Sequence, residues 1–157
     1  MYINIFPTIE RTNMSVPKSH RKKSRFEVFH NMAMLQKELV LDLMTDFGIT
    51  RMTNLGEAQF LDIKFERIVN LCGDIVGDTN RANAIYVTNK LEYERRRLYQ
   101  DQAIANCKVL KQELQSIVDV ITGLNINKYK RPVLMIDKEI NLIKAWRKSD
   151  IKFKKKL

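Results

Sequence analysis

An unbroken apolar stripe between residues 99 and 121 constrains the fold of this chain more than any other feature. Such spacing places side chains on one face of an α-helix, because successive helical residues lie about 100° apart. Asn89 and Glu92 have the spacing of a capping box, and Gly123 is a stop signal. The sequence therefore predicts one helix of about 34 residues, roughly 50 Å long. Its stripe consists of Tyr99, Ala103, Cys107, Leu110, Leu114, Ile117 and Ile121.

Three further stretches carry helical stripes. The first begins near Ser24, which has capping-box spacing to Glu27, and ends before Gly48. The second begins after Asn54 and weakens around "GDIVGDTNRANA", and the last begins near Pro132, a residue suited to a first helical turn. Their predicted inner faces are Val28, Met32, Leu35, Leu39 and Leu43; Leu61, Phe65, Ile68, Cys72, Ile75 and Ala82; and Met135, Ile136, Ile140, Leu142, Ile143 and Trp146.

The composition also favours a helical fold. Five glycines and three prolines among 157 residues are too few for the many turns of a β-sandwich or barrel. Four amphipathic helices joined by short loops pack best as an antiparallel up-and-down bundle, so the predicted class is all-α. We expect the four-helix bundle over residues 24–149, a flexible basic extension over 1–23 and a basic tail over 150–157.

No catalytic or metal-binding pattern is recognisable. Cys72 and Cys107 lie on apolar faces, which predicts packed thiols in a reducing compartment. The sequence has no zinc-protease motif, phosphate-binding glycine loop or nucleophile elbow. It also has no apolar run of ~18 residues and no signal-peptide pattern at its start. We therefore expect a cytoplasmic binding protein that is not an enzyme, uses no cofactor or metal and does not enter a membrane.

The charge is strongly positive and clustered. Twenty-eight Lys and Arg against eighteen Asp and Glu give +10, which points to a polyanion partner, nucleic acid before membrane surface. Tyr93 and Tyr99, expected to be exposed near the arginines, could stack on unpaired bases, although the apolar stripe favours a core position for Tyr99. The alternative is a basic surface that only keeps the protein soluble. The candidate nucleic-acid-binding residues are Lys18, Arg21, Lys22, Lys23 and Arg25; Arg95 and Arg97; Lys128, Lys130 and Arg131; and Arg147, Lys148, Lys152, Lys154, Lys155 and Lys156.

The arginine triplet at 95–97 lies inside the long predicted helix. Three consecutive residues cannot all point away from the core, and extending the stripe backward from Tyr99 places Arg96 on it. Its stem can pack on the bundle while its guanidinium reaches either the rim or an acidic partner such as Glu27 or Asp150. The two flanking arginines would face a partner molecule. We therefore expect structural roles for Arg96, Tyr99 and Trp146.

The clusters have a predicted place in the bundle. In an up-and-down bundle, the starts of the first and third helices share one end with the finish of the second and fourth. The basic leader, the triplet and the basic tail should therefore converge at that end. The loop around Lys128 should lie at the opposite end.

The stretch "NAIYVTNKLEYERRRLYQDQAIANCKVLKQELQ", followed by "KEINLIKAWRKSD", resembles a known four-helix-bundle family. That family includes the accessory variability determinant of diversity-generating retroelements and proteins encoded in ribosomal-RNA intervening sequences. The resemblance spans roughly residues 18–150. It rests on helix order, basic charge, "RRLYQDQAIANC" in the third helix and a fourth helix ending in Trp-Arg-Lys. The basic leader and Lys-rich tail depart from the shorter members.

The resemblance implies a barrel-shaped homopentamer that binds nucleic acid through basic surface. It implies association with the reverse transcriptase of the element and, with template RNA, support of mutagenic cDNA synthesis whose polymerase chemistry belongs to the partner. Two alternatives stay open: a stand-alone RNA- or DNA-binding bundle, and an oligomeric interaction scaffold. The apolar face of the first helix independently predicts a closed homo-oligomer. Beyond its stripe, that face includes Phe26, Phe29, Met34, Val40 and Met44.

Overall fold

The computed structural model describes residues 26–51 and 54–156, and within these ranges the chain is helical almost throughout. Their only strand-like pairing is an isolated antiparallel bridge between Ile49 and Leu124. The predicted all-helical class is confirmed. The leader residues Lys18, Arg21, Lys22, Lys23 and Arg25, the cap at Ser24 and the side chains of Phe26 and Met44 lie outside the described part.

Four long helical segments and one short turn make up these ranges. Segment α1 joins the α-helix Phe26–Lys37 to the π-helical turn Glu38–Leu43 and a last α-helical turn, Met44–Asp46. The others are α2 (Leu55–Ala84), α3 (Lys90–Val120), α4 (Asn127–Ser149) and the short turn α5 (Ile151–Lys154). Segment α2 runs unbroken through the stretch where its pattern predicted weakness.

Three of the predicted helix signals, Asn54, Asn89 and Gly48, act where the sequence places them. The side chain of Asn54 accepts a hydrogen bond from the Glu57 N–H at 3.0 Å, and Asn89 accepts one from Glu92 at 3.0 Å. These bonds satisfy backbone donors that the first turn of a helix leaves free. At the end of α1, Gly48 has a φ of 68°, a left-handed conformation that stops a helix.

The start of α4 was predicted wrongly. The helix begins at Asn127, and Pro132 lies inside it. One additional turn forms first because the Tyr129 N–H bonds to the Ile126 carbonyl at 3.1 Å. Tyr129 is buried, and its hydroxyl donates to the Phe47 carbonyl at 2.8 Å, which fixes this turn against the end of α1.

The helices pack in chain order around one core. Contacts join α2 to α3, α3 to α4, α4 to α1 and, less extensively, α1 to α2. The predicted inner stripes supply most of the core. Phe65 is the exception, with 41% of its surface exposed. Its neighbour Lys64 turns toward α3 instead and places Nζ 2.6 Å from Glu113 Oε2.

Candidate nucleic-acid interface

The first turns of α3 meet the C-terminal segment at one end of the molecule. Turn α5 packs against both α3 and α4, which brings residues about 60 positions apart into contact. A groove between α3 and α5 is lined by Lys90, Tyr93, Glu94, Arg97, Ile151 and Lys154. The structure therefore brings Arg97 of the triplet together with Lys154 of the tail.

Arg96 is the buried member of the triplet, with 6% of its surface exposed. Its Nε lies 2.9 Å from Asp150 Oδ2, and its Nη1 donates to the Ile85 carbonyl at 3.3 Å. The guanidinium carbon is 5.2 Å from the ring centroid of Trp146 and 5.8 Å from that of Phe153. Arg96 thus ties the α2–α3 loop, the end of α4 and α5 together.

Asp150 is part of the core rather than of an extended tail. Its side chain is buried, and Oδ2 also accepts a hydrogen bond from Gln100 Nε2 at 2.9 Å. The acidic partner of Arg96 is therefore Asp150, whereas the other candidate, Glu27, is exposed. Sequence spacing placed Arg96 correctly on the inner face but left the choice between the two carboxylates open.

The residues that flank Arg96 differ in exposure. Arg95 is exposed and makes no ion pair with any described residue, and Arg97 is half-buried and donates from Nη1 to the Tyr93 hydroxyl at 3.3 Å. The expectation that Tyr93 is free to stack on bases is wrong, because it lies one turn before the buried arginine and is itself buried. Tyr99 is half-buried, with the Arg81 guanidinium carbon 5.9 Å from its ring centroid.

The cluster around the third loop lies against the end of α1, and acidic residues there reduce its charge. Lys128 pairs with Asp46, and Arg131 Nε lies 3.4 Å from Glu38 Oε2. The hydrogen bond from Lys128 holds the pKa of the Asp46 carboxyl below its usual range. Lys130 is exposed and has no such partner among the described residues. This cluster therefore offers phosphate less net positive charge than its sequence suggests.

The remaining candidates lie at the end of α4 and beyond. Arg147 pairs with Asp101 of α3. Five lysines of this segment are exposed and form no ion pair with described residues: Lys148, Lys152, Lys154, Lys155 and Lys156. Among the clusters that the structure describes, positive charge is therefore least compensated here.

A buried polar pair between α1 and α4 has no counterpart among the predicted sites. Glu139 is fully buried, and its Oε2 accepts from Asn31 Nδ2 at 2.8 Å. Burial raises the pKa of Glu139 to about 7. Burial, reinforced by the charge of Glu139, also raises the pKa of the Cys107 thiol, and burial raises that of Cys72 to about 12. Glu139 follows the inner-face residue Ile136 by three positions, and this helical spacing could have predicted that Glu139 faces inward.

Other classes of site find little support in the described ranges. Contrary to the expectation that the sequence carries no metal-binding pattern, Glu27 and His30 have a Glu-x-x-His spacing, but both are exposed at the start of α1. No group of three or more His, Cys, Asp or Glu among the described residues could hold a metal ion. Within the same ranges, no helix has the length and apolar character needed to cross a bilayer.

No protein-family model, curated protein or solved structure matches the chain.

Proposed function

We propose that this protein is a non-catalytic nucleic-acid-binding protein whose contact surface is the end formed by α3 and the C-terminal segment. The observation that carries the proposal is the shared groove of Arg97 and Lys154, flanked by exposed and uncompensated cations. Each phosphate that such groups neutralise releases condensed counterions, which gives affinity without reading the base sequence. We call this surface the basic end, defined by Arg95, Arg97, Lys148, Lys152, Lys154, Lys155 and Lys156.

The proposal includes the antiparallel up-and-down order of the four helices. Contacts between helices that follow each other in the chain, and between α1 and α4, support this order. The Phe29 ring lies 6.4 Å from the Trp146 ring, so the first turn of α1 adjoins the end of α4. The five leader residues named above precede that turn in the sequence, which makes them further candidates for the same contact surface.

The resemblance suggests a more specific role. We propose that the protein is an accessory subunit of a diversity-generating retroelement reverse transcriptase. In this role it acts in the cytoplasm as a homo-oligomer, with a pentamer the implied assembly, and holds template RNA or cDNA. The partner supplies the polymerase chemistry. The basic end would then be the surface that meets the nucleic acid.

A salt titration tests nucleic-acid binding by the basic end. We expect the logarithm of RNA affinity to fall linearly with the logarithm of salt concentration. A variant that carries four Lys→Gln changes should have a shallower slope; the changed residues are Lys152, Lys154, Lys155 and Lys156. Each lost phosphate contact removes roughly 0.7–0.9 from the slope. Lys128→Gln is the matched control at the paired cluster and should change it little. Absence of RNA and DNA binding at low salt would overturn the proposal.

Copurification tests the more specific role. A tagged form of this protein, expressed beside a retroelement reverse transcriptase and its template RNA, should retain both at moderate salt. The same tag on the four-lysine variant should lose the RNA. Retention of RNA without the polymerase would favour the stand-alone binding protein instead.

A further inference from the structure

A second groove opens beside the first, and it is aromatic rather than only basic. Its walls come from the α2–α3 loop, the last turns of α4 and turn α5. Tyr86 stands at its rim with 84% of its surface exposed, the largest exposure among the big hydrophobic side chains of the described residues. The rest of the lining is Val87, Arg96, Ala145, Trp146, Ser149, Asp150, Lys152 and Phe153.

The charges in this groove favour a ligand that is both flat and anionic. Asp150 is the only carboxylate among the described residues of the lining, and it is already paired with Arg96 and Gln100. Lys152 is exposed, and its Nζ lies 5.1 Å from the centroid of the Phe153 ring. A flat ligand stacked on Tyr86 would therefore have the ammonium group of Lys152 in the same groove. The described lining has no unpaired carboxylate that would repel a phosphate group of that ligand.

The backbone around Tyr86 is held in place. The loop carbonyl just before it, that of Ile85, accepts a hydrogen bond from Arg96. Downstream, Glu92 Oε2 accepts from the Thr88 N–H at 2.7 Å, which closes the loop onto the first turn of α3. An exposed aromatic side chain on a fixed loop can bind a base with little loss of backbone freedom.

We propose that this groove binds an unpaired nucleobase of a single-stranded polynucleotide, with the base stacked on Tyr86 and an adjacent phosphate at Lys152. The inference rests on the proposed function and narrows it from nucleic acid in general to single strands. A duplex keeps its bases stacked on one another and offers no free face to an aromatic side chain. Aromatic stacking accepts any base, so the groove selects the single-stranded state and not a sequence.

The chain carries its own reporter for this site, because Trp146 is the single tryptophan and lines the groove. The experiment titrates the protein with a single-stranded RNA, a single-stranded DNA, a duplex of the same sequence and a mononucleotide. Trp146 fluorescence and anisotropy of the labelled strand are recorded for the parent chain, Tyr86→Ala and Tyr86→Phe. Leu55→Ala is the matched control, a strongly exposed apolar side chain at the start of α2.

We expect both single strands to change Trp146 fluorescence and to bind more tightly than the duplex. Tyr86→Ala should lower single-strand affinity by roughly tenfold, as loss of one stacked base does, without changing the salt slope. Tyr86→Phe keeps the ring and should bind like the parent, as should Leu55→Ala. Duplex affinity should be unaffected by any of these changes.

The outcomes separate this inference from the function on which it rests. Equal affinity for single strand and duplex, with Tyr86→Ala unchanged, would overturn the base-stacking site and leave binding by the basic end intact. A mononucleotide that binds as tightly as the single strand would show a nucleotide pocket and would also overturn the proposal. Failure of every nucleic acid to bind would overturn both.

Discussion

Arg96 and Asp150 meet across 54 residues of sequence, with Arg96 Nε 2.9 Å from Asp150 Oδ2 and both side chains buried. Removal of one partner from such a pair leaves an uncompensated buried charge, which typically costs 3–5 kcal/mol. We therefore expect Arg96→Met to lower the free energy of unfolding by about 3–5 kcal/mol, as measured by urea denaturation.

The double variant Arg96→Met with Asp150→Leu provides the control for this pair. It leaves neither charge buried, so it should lose less stability than Arg96→Met alone. Equal stability of Arg96→Met and the parent would show that the pair contributes nothing.

The two flanking arginines should behave in the opposite way. Arg95→Ala with Arg97→Ala should change stability by less than about 0.5 kcal/mol per exposed site, with a small addition from the lost Arg97 hydrogen bond to Tyr93. RNA affinity should fall and its salt slope should shrink by roughly 0.7–0.9 per phosphate contact. A salt titration that superimposes on that of the parent would exclude these arginines from the contact surface.

Glu139 should make stability fall as pH rises. Its pKa is about 7 in the folded chain against an ordinary 4.5, so folding favours the protonated form. The contribution is complete below pH 4.5 and is lost as pH rises to 7. At 1.36 kcal/mol per pH unit the loss is about 3 kcal/mol.

Glu139→Gln tests this contribution, because the amide keeps an acceptor for Asn31 and does not titrate. The difference in unfolding free energy between parent and variant should change over this pH range in favour of the variant. A constant difference from pH 4.5 to 7.5 would contradict a buried, titrating Glu139.

The core stripes predict large losses on truncation. Leu110 is fully buried and Ile140 is 8% exposed, so changing each to Ala should cost about 2–5 kcal/mol. Leu98→Ala, on the same helix but 55% exposed, should change stability by about 0.5 kcal/mol or less. Circular dichroism during urea unfolding measures all three, and similar midpoints for buried and exposed changes would contradict the assigned core.

Assembly into a closed homo-oligomer stays a prediction, and the structure narrows the surface that could form it. Phe29 and Val40 are half-buried within the chain, whereas Met34 is 40% and Leu41 is 57% exposed. We expect light scattering at tens of micromolar to give a multiple of 18.5 kDa, about fivefold for the implied pentamer. The double variant Met34→Glu with Leu41→Glu should dissociate the oligomer. A parent chain that is monomeric in this measurement would contradict the prediction.

Hydrophobic spacing predicted the helical class and the inward position of Arg96, and capping-box spacing predicted the caps at Asn54 and Asn89. These features depend on neighbours within one or two turns of the same helix, which a sequence displays directly. Phe65 shows the limit of that reasoning, because Lys64 and Phe65 both lie at the border of the inner face and only one of them can turn inward. Lys64 turns inward because its ammonium group pairs with the Glu113 carboxylate on α3.

The site was less predictable than the fold because charge pairing depends on tertiary register. Lys128, Arg131 and Arg147 look as basic in sequence as Lys152, yet each meets a carboxylate from a different helix. The extra turn before Pro132 likewise depends on Tyr129 reaching the end of α1. No local pattern reports which side chains those distant segments supply.

The wide turn Glu38–Leu43 has a consequence for how α1 can vary in length. Leu35, Leu39 and Leu43 are all buried, although each four-residue step in a regular α-helix overshoots a full turn by about 40°. A π-helical turn holds one extra residue and takes up that overshoot. Deletion of a solvent-facing residue such as Asp42 would convert the π-helical turn into ordinary α-helix, and the helical parts of α1 before and after it would keep the same faces toward the core. A one-residue deletion would otherwise rotate everything beyond it by about 100°, so this turn is where the helix can tolerate a change in its residue count.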